Sequence, residues 1–461
     1  MITVSNVITI DNPSAELRKW CQQNLKLKNP EYTKKQRMHF WVGNTPEYLN
    51  LYATRGDKLV LPFGVLRNII PMIDVNDIKM DFPVGEKIDY GCKIPLYDYQ
   101  EKAVEEVYWK HYGILQSAAG SGKTQMGIAL IAKLGKRALW LTHTKDLLTQ
   151  SKERARQYMG EALLGTITEG KVNIGHGITF ATVQTMCNLD LTQYKDYWDV
   201  IIVDECHRVT GTPTAVRQFS KVLNSLAARH KYGLSATVHR SDGLIQATFA
   251  LLGEVVYTVP TEAVADKIMK VGINPIPTGI SLSRACLNTD GTLNYAKLIG
   301  YLAESVDRNL RIVKCIVENR ENPSLILSDR LGHLETLMSM LPADMREDAV
   351  MVSGKMTTKK GKAEREQAIA DMRTGEKKYL FATYSLAKEG LDVPRLERLY
   401  MATPQKDYAV ITQAIGRIAR TSKGKAEPVV YDFVDDIQYL VKAYKKRCTT
   451  YRKNGCYFVE R

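Results

Sequence analysis

The sequence predicts an α/β protein: two tandem parallel-sheet domains behind a small α+β N-terminal segment. Three observations carry this. From about residue 112, short apolar runs alternate with helical stretches, the rhythm of buried parallel strands and their crossover helices. The rhythm breaks over 254–280, where Pro260, Gly272, Pro275, Pro277 and Gly279 cluster, and then restarts. The first 90 residues follow a different pattern. A length of 461 residues suits about three domains at ~150 residues each.

The elements follow in order. Residues 1–90 show strand-like runs at 2–10 and 58–62 and a helical stretch at 14–27, and read as an accessory domain. Residues 91–258 form the first sheet domain, with strands expected at Tyr112–Ser117, Ala138–Thr142, Ile178–Ala181, Val200–Val203 and Tyr232–Ser235. Residues 254–280 read as a linker because Pro and Gly interrupt both strand and helix. Residues 259–440 hold that linker and the second sheet domain, with strands expected at Ser324–Ser328, Ala349–Ser353, Tyr379–Thr383, Arg398–Met401 and Val429–Phe433. Residues 441–461 are a basic tail.

Composition narrows the function. Lys and Arg number 64 against 50 Asp and Glu, a net +14 that suits a polyanionic partner, nucleic acid first. No apolar run approaches the ~20 residues of a membrane span, so no membrane partner is expected. The N-terminus shows no basic-then-apolar secretory pattern. The eight cysteines are scattered without a CxxC pair, which speaks against a disulfide framework or a zinc site. The expected location is the cytoplasm of a bacterium or of a phage-infected host.

The strongest local signal is Ser117-Ala118-Ala119-Gly120-Ser121-Gly122-Lys123-Thr124, after an expected strand and before the helical stretch Gln125–Leu134. That is the setting of a phosphate-binding loop. Small residues let backbone N–H groups curl around phosphates, and the helix N-terminus adds its positive end. Lys123 would reach the β- and γ-phosphates and Thr124 would hold Mg²⁺. Ser117 departs from the usual Gly. About 80 residues on, the strand Val200–Val203 runs into Asp204-Glu205-Cys206-His207. Asp204 at a strand end can hold the Mg²⁺ that bridges phosphate oxygens, and Glu205 can position the attacking water. The pairing points to hydrolysis of a nucleoside triphosphate.

These residues resemble superfamily 2 helicases and translocases. Asp204-Glu205-Cys206-His207 is similar to their DExH box, and Ser235-Ala236-Thr237 to the SAT motif that couples hydrolysis to the strand. With them His207 and Gln413 fall among the coupling residues. Leu96-Tyr97-Asp98-Tyr99-Gln100 resembles the element that recognises adenine; Gln100 would read its edge and Tyr97 would stack. The run Phe381–Pro394, with Gly390 and Asp392 at the nucleotide, is similar to the fifth motif. Gln413-Ala-Ile-Gly416-Arg417-Ile-Ala-Arg420 is similar to the sixth, whose arginines act on the γ-phosphate. The resemblance covers roughly residues 91–435 and implies two RecA-like domains, with ATP and Mg²⁺ as cofactors.

It also implies where nucleic acid lies. Matching positions are His143, Thr144, Lys145, Thr182, Gln184 and Thr185 in the first domain, and Ser328, Arg330, Ser353, Gly354, Lys355 and Thr383 in the second. Hydroxyls, basic heads and glycine amides suit phosphates and carry no sequence information. The run Gly233–Gly243, with Arg240-Ser241-Asp242-Gly243 after the SAT motif, resembles the DNA-directed branch that includes phage branched-DNA helicases. The implied function is an ATP-dependent DNA helicase or translocase on forked or branched DNA, in recombination, repair or replication. An RNA helicase, or a nucleotide-gated binding protein that does not unwind, is the alternative. The expected partner is DNA (single-stranded, forked or branched) and the expected state a monomer.

Two segments stay open between readings. The cluster Lys34, Lys35, Arg37, Phe40 and Trp41 either grips a fork or belongs to a small packed domain with the aromatics in its core. The tail around Lys442–Lys453 is either a second nucleic-acid contact or a terminal helix packed through its tyrosines.

Overall fold

The computed structural model describes residues 1–459 apart from 92–93, 119, 211, 237, 239–243, 261, 265–267, 355, 357, 389–390 and 392. It divides into two units. The first holds residues 1–118 with 122–260, the second 119–121 with 261–461.

In the first unit, residues 1–80 build a separate five-stranded sheet in the order Ala53–Arg55, Lys58–Pro62, Val7–Asp11, Ile2–Val4, Ile78–Met80. The expected single run at 2–10 is a hairpin, Ile2 facing Ile10 and Val4 facing Ile8. Apolar residues alternate on both sides of the turn, so the pattern runs through it unmarked. Val4, Ile8, Ile10, Leu59 and Leu61 pack with Leu17 and Cys21 of the helix Ala15–Asn24. Ser14 caps that helix. It stops short of residue 27 because Lys26–Lys28 pairs with Tyr48–Asn50.

The N-terminal sheet is joined to the main sheet of this unit by close backbone approach. A Cβ on Gly64 would run into the backbone of Phe249, Ala250 and Gly253. Phe63 packs edge-on against Tyr112 at 4.8 Å. Beneath it lies Lys231, fully buried, donating to the carbonyls of Leu223 (2.8 Å) and Asn6 (3.2 Å). Burial pulls the Lys231 amine down to about 7. The unfolded chain holds that proton up to ~10.4. Between those values the unfolded state binds more protons, so this group makes the fold more stable as pH rises from 7 toward 10. The unfolding free energy of wild type minus that of Lys231→Met should therefore rise by about 1 kcal/mol per pH unit from pH 7 to 9. Urea denaturation at three pH values measures it; a pH-independent difference contradicts it.

The main sheet has eight strands in the order Lys171–Asn173, Leu164–Thr168, Ile178–Thr182, Ala138–Thr142, Val200–Asp204, His230–Ser235, Tyr112–Gln116, Val255–Thr258. Only the edge strand Lys171–Asn173 is antiparallel. Strands buried on both faces explain why they read as unbroken apolar runs.

The second unit holds a seven-stranded parallel sheet in the order Ala349–Val352, Tyr379–Thr383, Ser324–Ser328, Arg398–Met401, Val429–Asp436, Gly272–Ser281, Tyr457–Phe458. The linker expected at 254–280 is corrected here. It carries Val255–Thr258 of the first sheet and the ten-residue strand Gly272–Ser281 of the second. The prolines are tolerated because alternate residues point to opposite edges. The Ile273 carbonyl faces the edge strand, accepting from Val459 N at 3.0 Å. Pro275 and Pro277 share that side, beyond the two-residue pairing of Tyr457–Phe458, so no ladder bond to Val429–Asp436 needs their missing N–H.

Residues 441–461 are part of this unit too. The helix Gln438–Lys453 buries Leu440, Ala443, Arg447, Thr450 and Tyr451. Arg447 grips Asp432 with two 2.8 Å bonds, and the Tyr451 hydroxyl donates to Asp432 at 2.7 Å. Tyr451 is fully buried, which is the packed reading of the tail.

Candidate nucleotide and nucleic-acid sites

The carboxyl ends of parallel strands are where open α/β sheets place their ligands. In the first unit that edge carries, in order, Thr182, Thr142, Asp204, Ser235 and the loop after Gln116. Parallel register sets their level: Thr182 pairs with Thr142, Asp204 with Leu234, and Ser235 with Gln116. Motifs up to 118 residues apart in sequence thus share one sheet edge.

The phosphate-loop candidate leaves the edge as expected. Ser117 N donates to the Ser235 carbonyl at 3.0 Å. Gly120 (φ 86°) and Gly122 (φ 83°) lie in the left-handed region, with Ser121 between them. Gly122 then opens the helix Lys123–Leu134. The positive φ at Gly122 favours glycine, and a Cβ there would also displace the Gln100 amide. Lys123 lies along the loop, its Nζ 3.3 Å from the carbonyls of Ser117 and Ala118. Thr124 is half-buried one residue on. Gln100 is buried, and its Oε1 accepts from Tyr97 N at 3.0 Å. Tyr97 is 51% exposed and lies parallel to Tyr99 with ring centroids 5.9 Å apart.

Asp204 ends its strand buried. One oxygen accepts from Ser151 Oγ (3.2 Å) and the other from Glu205 N (3.0 Å). Burial pushes the carboxyl up to about 6; the Glu205 charge adds to this and Lys123 opposes it. Glu205 has φ 48°, a strained backbone for a residue with a side chain. Its Oε2 lies 3.2 Å from His207 Nδ1, and the same nitrogen is 3.0 Å from Ser235 Oγ. His207 therefore joins the second box residue to the serine 30 positions later.

One buried carboxylate beside a hydroxyl and a phosphate-type loop is a hard-oxygen donor set. It suits Mg²⁺, which takes one or two carboxylates and fills its shell with phosphate oxygens and water. Asp204 and Thr124 would hold the ion, and its charge would restore the carboxylate that burial disfavours.

The neighbouring strand ends gather the nucleic-acid candidates. Gln184 Nε2 is 3.2 Å from His143 Nδ1, and the hydroxyls of Thr182 and Thr185 are 2.9 Å apart. Burial lowers the His143 pKa. Thr144 caps the helix Lys145–Arg156, accepting from Leu147 N at 3.4 Å. Lys145 is ion-paired with Glu169 at 2.7 Å.

In the second unit, Thr383 and Ser328 end adjacent strands and Ser353 follows the end of the next, Ala349–Val352. Thr383 Oγ1 lies 2.9 Å from Ser385 Oγ, and Gly354 sits beside Ser385. Ser328 is corrected as a surface donor. It is fully buried, its hydroxyl 3.1 Å from His333 Nδ1 and accepting from Arg330 N, so it builds the loop. Arg330 is exposed and donates to the Ala296 carbonyl at 3.2 Å. Gln413 and Arg417 lie on the helix Tyr408–Ile418, and Arg420 in the turn after it. Gln413 is buried and both arginines are half-buried. Ala119, Thr237, Lys355, Gly390 and Asp392 lie outside the described residues, as does Arg240–Gly243.

Three supporting residues escaped the sequence reading. Ser151 orients Asp204. Lys425 donates to the carbonyls of Ile418 and Arg420 (both 2.7 Å) and of Pro394 (2.9 Å), closing the helix end that carries the arginines. Asn454 donates to Thr412 on the same helix at 3.1 Å. Ser151 and Asn454 are distant in sequence from the residues they hold, and Lys425, five residues past Arg420, belongs to no motif.

Comparison with known proteins places this geometry. Residues 93–240 match the family described as Type III restriction enzyme, res subunit. Residues 307–422 match the Helicase conserved C-terminal domain. A protein of Acanthamoeba polyphaga mimivirus, provisionally named ATP-dependent RNA helicase L396, is 25% identical over 90% of this chain and 79% of its own length. The DNA 3'-5' translocase XPB2 of Sulfurisphaera tokodaii is 25% identical over 72% of this chain and 80% of its own. Among solved structures, the S. cerevisiae protein Dbp5 bound to RNA and ADP BeF3 shares the fold at a TM-score of 0.53, with 20% identity over 87% of this chain and 94% of that one.

Proposed function

This chain is a superfamily 2 helicase, and on that premise we propose that it is an ATP-dependent DNA helicase or translocase acting on forked or branched DNA. The observation that carries the motor chemistry is the placement of Asp204, Glu205, His207 and Ser235 at one sheet edge beside Lys123. The loop amides and Lys123 bind the phosphates, and Gln100 and Tyr97 take the adenine. Asp204 and Thr124 would hold Mg²⁺, which would supply positive charge against the phosphates; Glu205 aligns and deprotonates the attacking water. Arg417 and Arg420 meet the γ-phosphate charge. His207 links Glu205 to Ser235 and so passes the state of the nucleotide toward the strand-binding edge; Gln413 is the coupling residue of the second unit.

His143, Thr144, Lys145, Thr182, Gln184 and Thr185, with Arg330, Ser353, Gly354 and Thr383, hold the nucleic-acid backbone. DNA is favoured over RNA by the Arg-x-Asp-Gly continuation at 240–243 and by the DNA named for the XPB2 relative. The mimivirus relative's name favours the RNA reading. Among the described residues no helix is long and apolar enough to cross a membrane.

Steady-state ATPase at one salt concentration, with single-stranded, duplex and forked DNA and with RNA, tests the proposal. Strongest stimulation by forked or single-stranded DNA is expected. Strongest stimulation by RNA would overturn the substrate and leave the motor chemistry standing.

A further inference from the structure

The N-terminal sheet carries an outgrowth that its own fold does not use. The helix Pro30–Arg37 has no buried residue. The loop after it exposes Phe40 at 60% and Trp41 at 87%. The packed-core reading of these aromatics is therefore excluded. Two adjacent aromatic rings held in solvent present flat apolar faces with polar edges, the kind of surface that meets a partner.

The loop is built to hold the ring out. Asn29 is buried; its side chain donates to the Pro46 carbonyl (2.7 Å) and accepts from Glu31 N (3.0 Å). Phe40 N donates to the Lys35 carbonyl at 2.8 Å, and Lys35 Nζ donates to Thr45 Oγ1 at 2.7 Å. Gly43 adopts φ 49°, and the Trp41 ring lies across it; a Cβ there would sit 2.8 Å from the ring. The indole is thus backed on one side by a residue with no side chain and open on the other.

The charge around it has one sign. Residues 26–41 contain Lys26, Lys28, Lys34, Lys35 and Arg37 against the single carboxylate of Glu31, which is paired with Lys35 at 3.2 Å. Lys34 and Arg37 are exposed on the helix that leads into the aromatics. A flat ring at the tip of a cationic helix matches a stacked base with its phosphates alongside. An apolar protein partner would not call for that charge.

We propose that Trp41, backed by Gly43 and preceded by a helix that exposes Lys34 and Arg37, is a stacking site for an unpaired or terminal nucleobase where duplex meets single strand. The inference rests on the DNA reading above and gives the N-terminal segment the task of recognising the junction. Phe40 extends the platform, and the cations hold the backbone without reading sequence.

The test uses the full chain and fluorescence anisotropy of labelled forked DNA, blunt duplex and single strand at fixed salt. Trp41→Ala should weaken fork binding about tenfold or more, since base–aromatic stacking is worth ~1–3 kcal/mol per base. Single-strand-stimulated ATPase should stay unchanged. Trp41→Phe should recover fork binding and Trp41→Leu should not, because a base needs a ring face whereas an apolar protein contact accepts Leu. Lys34→Ala should lower the salt slope by about one unit, and Trp41→Ala should leave it alone. Fork binding within twofold of wild type in Trp41→Ala, or recovery by Leu, overturns the stacking site while the motor reading stands. A wild-type protein that binds no DNA overturns both. Loss of self-association in Trp41→Ala with fork binding intact assigns the face to a second copy of the chain and overturns the stacking site alone.

Discussion

Glu205→Gln is expected to lower ATP turnover by about 10²–10⁴-fold, the range of a positioned general base, with nucleotide affinity retained. The substitution keeps size and shape and removes only the capacity to take a proton. Affinity should survive because the phosphate contacts come from the loop and Lys123, which the change does not touch. The strained backbone at Glu205 (φ 48°) supports the assignment. Such strain persists where the surroundings over-determine it, and here the Asp204 carboxylate accepts from Glu205 N while His207 engages the side chain. Phosphate release in steady state, alongside titration with a fluorescent ATP analogue, measures both halves. Turnover within tenfold of wild type would remove Glu205 from the reaction. Lost nucleotide affinity would mean the residue supports the loop instead.

The legible parts of this fold were those whose chemistry is contiguous. Strands buried on both faces announce themselves as apolar runs, and Ala138–Thr142, Ser324–Ser328, Tyr379–Thr383 and Arg398–Met401 begin and end as the sequence predicts. The phosphate-loop candidate and the box are each a single stretch at a strand end, so order along the chain nearly determines their neighbours in space. Less legible were features that depend on an edge or a partner. Gly272–Ser281 is disguised by two prolines, and their i, i+2 spacing was the available clue that both face one side. The 2–10 hairpin is disguised because alternation continues through its turn. Exposure of Trp41 was not legible: an aromatic beside a basic cluster looks the same in sequence whether it faces a core or solvent. The Ser328 hydroxyl shows the converse. A polar strand-end residue resembles a ligand donor until the fold buries it against His333.

Arg417→Ala and Arg420→Ala are each expected to reduce turnover by about 10³–10⁵-fold, the span seen when a charge-stabilising arginine is removed from phosphoryl transfer. Lys at either position should recover little, because an ammonium offers a point charge where the developing trigonal phosphoryl group needs a planar fork. The structure adds a dependence that no motif contains. Arg420 lies past the end of its helix, and the carbonyls of Ile418 and Arg420 are held by Lys425. Burial pulls the Lys425 ammonium down to about 8; Glu397 pulls it up and Arg420 down. Three acceptors need the charged form, so the arginine turn should loosen, and turnover fall, as pH rises through about 8. Lys425→Arg stays protonated across that range and should flatten the decline. Lys425→Met should show the low turnover at every pH while still binding DNA. A pH–rate profile of the three proteins with single-stranded DNA decides. A decline that persists in Lys425→Arg would place the titrating group elsewhere, whereas a flat profile would make a lysine outside every motif the residue that sets the upper pH limit of the motor.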